Sequence, residues 1–92
     1  MPGVPSNAFA VNAVTMTGGA IQIVPARGDR KRVTLVMGGT PADTFLGPPG
    51  VSSANGILLA GVKGQTLFFE TTAAIFGNGT AAAIVSYLEE FA

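Results

Sequence analysis

The sequence predicts an all-β single domain: an antiparallel β-sandwich or small barrel, jelly-roll-like, with an N-terminal arm. Three observations lead there. Thirteen Gly and six Pro are spread over 92 residues, and no window outside an Ala-rich stretch near the C-terminus sustains the apolar period of a helix. Segments that alternate apolar and polar residues recur instead, each bounded by Gly, Pro, Asn or Asp, the punctuation of short strands. These breaks fall roughly every eight to twelve residues, the spacing of sandwiches and small barrels. The length allows one domain.

The elements follow in order. Residues 1–19 (MPGVPSNAFAVNAVTMTGG) are small, apolar and uncharged. The alternation puts Phe9, Val11, Ala13 and Thr15 on one face if the segment is a strand, but Pro2, Pro5 and Gly18-Gly19 favour an arm. Disordered tails are rich in charge and poor in apolar residues, so the arm is expected to dock on another molecule through Val4, Phe9, Val11 and Val14. Residues 20–92 form the β domain. Alternation places a strand near 20–25, then a turn at Ala26-Arg27-Gly28-Asp29 with Gly28 available for positive φ. The next strand runs from Lys31 to Met37 with Val33, Leu35 and Met37 inward and Arg32 and Thr34 outward. Gly38-Gly39-Thr40-Pro41 ends it.

Ala42 to Leu46 reads as a short strand stopped by Gly47-Pro48-Pro49-Gly50. Asn55-Gly56, ahead of Ile57-Leu58-Leu59, is a type I′ hairpin signal. Gly61 and Gly64 bracket a further turn. Gln65 to Glu70 is a strand whose adjacent Phe68 and Phe69 require both of its faces to meet something apolar. Thr71 to Phe76 continues as strand, and Gly77-Asn78-Gly79 turns the chain. Ala81 to Phe91 closes the fold, with Ile84, Val85 and Tyr87 favouring strand over helix, and is long enough to lie centrally in a sheet.

Composition excludes several functions. With no Cys and no His, thiolate or imidazole metal sites and catalysis by either group are impossible, and no cofactor is expected. A net charge of zero gives little counterion-release drive toward nucleic acid. The uncharged runs are broken by Gly, Pro and Asn well short of the ~20 residues of a membrane helix, and no basic segment leads an apolar one as in a signal peptide. The expectation is a soluble chain made in the cytoplasm.

The motifs have plain explanations. Arg27-Gly28-Asp29 spells an adhesion tripeptide, but adhesion requires secretion and the turn already accounts for the Gly. Gly77 to Ala82 fits G-x-G-x-x-A without the later acidic residue a dinucleotide site requires. The carboxylates are Asp29, Asp43, Glu70, Glu89 and Glu90; Glu89 and Glu90 are adjacent, so in a strand they face opposite ways. Nothing supports a dyad of Ser52 or Ser53 with Lys63. No enzyme and no small-molecule substrate are expected.

What stands out is how little charge there is. Only 11% of residues are charged, under half the roughly 25% of an ordinary domain, and residues 1–26, 44–62 and 71–88 carry none. A large uncharged exterior marks a contact surface. The cluster Arg27, Arg30, Lys31 and Arg32 supplies forks for partner carboxylates, so Arg27, Arg30 and Arg32 are expected as polar rim contacts.

The order of features over 32–91 is similar to a known group. A basic-led strand Arg32-Val33-Thr34-Leu35-Val36-Met37 is followed by Thr44-Phe45-Leu46-Gly47, Val51-Ser52, Asn55-Gly56 and Gly61. Then come the aromatic strand Leu67-Phe68-Phe69, the small-residue strand Ala73-Ala74-Ile75-Phe76, and Ala83 to Glu89. Over about two-thirds of its length the chain resembles the small β-rich capsid decoration (cement) proteins of tailed bacteriophages. The resemblance implies an all-β virion protein on the capsid surface that binds the major capsid protein as a homotrimer and stabilises the shell without catalysis. Deleting residues 1–17 is then expected to spare the β fold and abolish capsid binding. The alternative is a tail- or fibre-associated module recognising a host-surface glycan, for which Tyr87 as the sole Tyr and the lack of Trp offer few platforms.

Overall fold

The computed structural model describes residues 8–91. Eight strands follow in order: β1 (Ala8–Thr15), β2 (Ala20–Val24), β3 (Arg30–Met37), β4 (Thr44–Gly47), β5 (Ile57–Leu59), β6 (Thr66–Phe69), β7 (Ile75–Gly79) and β8 (Ile84–Phe91). They form two four-stranded antiparallel sheets, ordered β1-β8-β3-β6 and β2-β7-β4-β5.

The pairing has a simple logic. β4 pairs with β5, β3 with β6, β2 with β7 and β1 with β8, so the chain is one long hairpin doubled back on itself. Pairs β3–β8 and β4–β7 roll that ribbon into two facing layers. This is a jelly roll, the double-sheet arrangement of eight strands. The inward rows of both sheets meet in one core, with Val33, Leu35, Met37, Val85 and Tyr87 from the first sheet. Ile23, Val24, Leu46, Leu59 and Ile75 come from the second.

The expected arm is corrected by β1. Ala8–Thr15 is an edge strand of the first sheet, in unbroken register with β8 from Ala8↔Phe91 to Thr15↔Ile84. Its period-two pattern finds the eight-residue partner that β8 offers. Met16 then exchanges backbone bonds with the 82–83 segment and is buried in the core. Sheet structure thus begins ahead of residue 20. Val4 lies outside the described residues.

Three local readings also change. Gly77-Asn78-Gly79 lies inside β7 and does not turn the chain. Gly77 and Gly79 face the core, where Ile23, Thr44 and Met16 occupy the space a Cβ would need. Thr71–Ala74 is connection, with strand resuming only at Ile75. The Asn55-Gly56 pair closes a longer loop between β4 and β5, and neither residue adopts positive φ. Asn55 Oδ1 accepts the Ser52 N–H at 2.8 Å. Gly56 is required for space, since a Cβ there would sit 2.6 Å from Phe45 Cβ. Gly28 likewise keeps negative φ in the turn that Arg30 N–H closes onto Arg27 C=O.

Candidate interaction surface

Alternation along four paired strands sends half of their side chains outward. On the first sheet the register aligns these in rows across the strands. One row is Val11, Leu88, Thr34 and Phe68; the next is Ala13, Ser86, Val36 and Thr66. Phe9 stands beside Glu90 and Arg32 at the margin. Phe9 is 71% exposed, Val11 67% and Phe68 59%. The face carries no charge in its two central rows, where exposed apolar side chains alternate with the hydroxyls of Thr34, Ser86 and Thr66.

Its charges pair with each other at one border. Arg32 Nε donates to Glu90 Oε1 at 2.9 Å, and its guanidinium carbon lies 5.4 Å from the Phe68 ring centre. Arg27 sits 5.4 Å from the Phe91 ring centre and 3.4 Å from Glu89 Oε1. A cation on an aromatic face contributes about 0.5–1 kcal/mol at exposed sites.

Of the expected contact residues, Phe9, Val11, Arg27 and Arg32 are exposed at or beside this surface. Two are not. Val14 faces inward and packs against the core, because β1 is a strand and its even-numbered residues point between the sheets. Arg30 is 4% exposed. A one-residue bulge between Arg30 and Arg32 shifts the parity of β3, so Arg30 joins Val33, Leu35 and Met37 on the inner side and Lys31 stays out. Its guanidinium donates to Thr71, Pro25 and Ala73 carbonyls and to Glu89 Oε2. Arg30 cannot serve as a rim contact. Phe68, Leu88 and Val36 belong to the face and escaped the sequence reading, although the Phe68-Phe69 doublet signalled an apolar outer side.

Two hollows adjoin the second sheet. An apolar one of about 120 Å³ lies where Leu46 and Ile57 approach Phe69 and Ile75. A polar one of about 300 Å³ opens around Asp43, Phe45, Ser52, Ser53, Asn78 and Thr80. Among the described residues no group of three or more His, Cys, Asp or Glu is placed to hold a metal ion, and no helix is long and apolar enough to cross a membrane.

No protein-family model matches this sequence, and no curated protein is similar to it. Two solved structures are similar to the chain. One is the stem and receptor-binding domain of the spike protein P1 from bacteriophage PM2, with a TM-score of 0.59 at 20% identity. The likeness is one of fold. It covers 85% of this chain and 31% of that one, so the chain spans about a third of the length of the spike structure it matches. The other comes from the disulfide-linked pili of Bacillus endospore appendages, with a TM-score of 0.49 at 14% identity over 92% of this chain and 87% of that one.

Proposed function

We propose that this chain is a non-enzymatic structural protein of a phage particle, a decoration (cement) protein that binds the major capsid protein and stabilises the shell as a trimer. The observation that carries the reading is the outer face of the β1-β8-β3-β6 sheet, uncharged in its central rows, with Phe9, Val11 and Phe68 bare, and edged by the Arg32–Glu90 pair. Two of the chain's ten charged residues, Arg30 and Glu89, are buried, leaving still fewer to solvate the exterior. Exposed apolar faces of this kind mark interaction sites. The jelly roll, which also serves in viral capsid domains, and its likeness to a phage spike add support.

The mechanism is burial of that face. Three eight-residue strands and the four-residue β6, spaced about 4.8 Å apart with a rise of about 3.4 Å per residue, cover roughly 450 Å². That is less than the ~800 Å² per partner of a standard interface, so one contact alone is weak. A trimer engaging three symmetry-related sites multiplies the contacts through effective concentration. No cofactor, nucleic acid or small-molecule substrate takes part.

The test is a Val11→Lys/Phe68→Lys variant mixed with heads of the parent phage assembled without this chain. Wild type should co-sediment with the heads to saturation, and the folded variant should not. Saturation by the variant rejects the reading.

A second reading, a tail- or fibre-associated module that recognises a host-surface glycan, draws on a separate observation. The solved structure that this fold matches at a TM-score of 0.59 includes the receptor-binding domain of a phage spike.

A further inference from the structure

The outer side of the second sheet is unlike that of the first. The register places Ala20, Asn78, Phe45 and Leu58 in one outward row. Over its middle lies the polar hollow of about 300 Å³, walled by Gly18, Asp43, Ser52, Ser53 and Thr80.

Two of its polar groups are held in place from behind. Asp43 Oδ1 accepts the Gly61 N–H at 2.8 Å, and a Cβ on Gly61 would come within 2.6 Å of the Ala42 and Asp43 backbone. The carboxylate is thereby fixed by a backbone approach that only glycine permits. Asn78 Nδ2 donates to Val51 C=O at 3.1 Å, which anchors the amide to the β4–β5 loop. The second carboxylate oxygen of Asp43, Oδ2, and the amide oxygen of Asn78, Oδ1, have no partner among the described residues, nor do the Ser53 and Thr80 hydroxyls. Half-buried Phe45 supplies an apolar floor.

The chemistry of this lining selects a ligand class. One carboxylate and no cation disfavour an anion, and a single carboxylate is too few for a hard metal ion. Five polar side chains, Asp43, Ser52, Ser53, Asn78 and Thr80, disfavour an apolar ligand. What remains is a neutral molecule with several hydroxyls and an apolar C–H face. The volume stands at the lower end of ligand sites, about 300–1,000 Å³, which suits one or two sugar rings. We propose that the hollow around Asp43, Phe45, Asn78 and Thr80 is a binding site for a neutral saccharide unit. Asp43 and Asn78 accept ligand hydroxyls, Ser53 and Thr80 bridge, and Phe45 packs under the ring. Acceptors fixed in advance lower the ordering cost of binding. The proposal deepens the glycan-recognition reading and does not involve the docking face of the first sheet.

The full chain, labelled with ¹⁵N, is titrated with glucose, galactose, rhamnose and N-acetylglucosamine, and with sialic acid as the anionic comparison. At least one neutral sugar should shift the Phe45, Ser53, Asn78 and Thr80 amides saturably, with sialic acid at least tenfold weaker. Asp43→Asn retains an acceptor for Gly61 and should weaken binding at least tenfold; Thr80→Ala should weaken it at least threefold. The amide spectrum of each variant reports whether it is folded. If no neutral sugar shifts these amides at 50 mM, or a folded Asp43→Asn binds as tightly as wild type, the site is refuted. Neither result bears on head binding, which the co-sedimentation assay reads separately.

Discussion

Arg30 Nη1 donates to Glu89 Oε2 at 2.8 Å, and both side chains are sealed from solvent, at 0% and 1% exposure. The guanidinium also donates to Pro25 C=O at 2.8 Å, Thr71 C=O at 2.8 Å and Ala73 C=O at 2.6 Å. One side chain thus ties the start of β3 to the end of β2, the β6–β7 connection and the end of β8. Among the described residues no buried side-chain nitrogen or oxygen lacks a hydrogen-bond partner. The charges reward burial because every group is met.

Removing one partner leaves the other charged and dry. Glu89→Gln and Arg30→Met should each destabilise the fold by about 3–5 kcal/mol, the usual cost of breaking a buried pair. Arg30→Lys should rescue little, since an ammonium lacks the planar fork that reaches these acceptors. Arg27→Ala, which removes the half-exposed arm of the same network at 3.4 Å, should cost under about 1 kcal/mol. Urea unfolding of the four variants checks the order.

The glycines divide by what surrounds them. Gly61→Ala drives a methyl against backbone that cannot yield and should cost about 3 kcal/mol, at the upper end of overpacking. Gly28→Ala meets nothing within 4 Å and has no positive φ. It should be neutral or stabilise by about 0.4–1 kcal/mol through the unfolded chain. Thermal melts of the pair distinguish a packing role from a turn role.

Deleting residues 1–17 removes β1 and Met16 together. The sequence suggested that the β fold would survive this. With β8 stripped of one neighbour and the core opened at Met16, the truncated chain should instead lose its cooperative unfolding transition and aggregate. Retention of a sharp melt and a native amide spectrum would contradict the role given to β1.

Exposed apolar residues of the first sheet should matter little to the folded monomer. Val11→Ser and Phe68→Ser are expected to change stability by no more than about 1 kcal/mol, the Phe68 share including its contact with Arg32. Both should reduce self-association, measured by sedimentation velocity at high concentration.

Strand positions inside the domain were legible because period-two alternation and Gly or Pro breaks act locally. Val33, Leu35 and Met37 point inward as their spacing requires, and β8 is central as its length suggested. What failed depended on distant partners. The small, uncharged residues 8–15 read as an arm until β8 supplies a ladder for them. The Gly77-Asn78-Gly79 run reads as a turn until Ile23 and Thr44 are seen to fill the space above it. The burial of Arg30 rests on a bulge, which one-strand periodicity cannot reveal. Of the surface, Phe9 and Val11 were legible as bare apolar groups. Phe68 and Leu88 join them only through register, and the Asp43–Asn78 hollow joins residues 35 apart in sequence across β4 and β7.

Because Ala8 faces Phe91 across the outermost ladder, the points where the chain enters and leaves the roll stand about 5 Å apart. The whole unit can therefore be spliced into a surface loop of a host polypeptide with scarcely any spacer. Its ends can equally be joined by a few residues and the ring reopened at the tip between Pro48 and Gly56. Such a permutant preserves every ladder, and the roll is portable as a cassette.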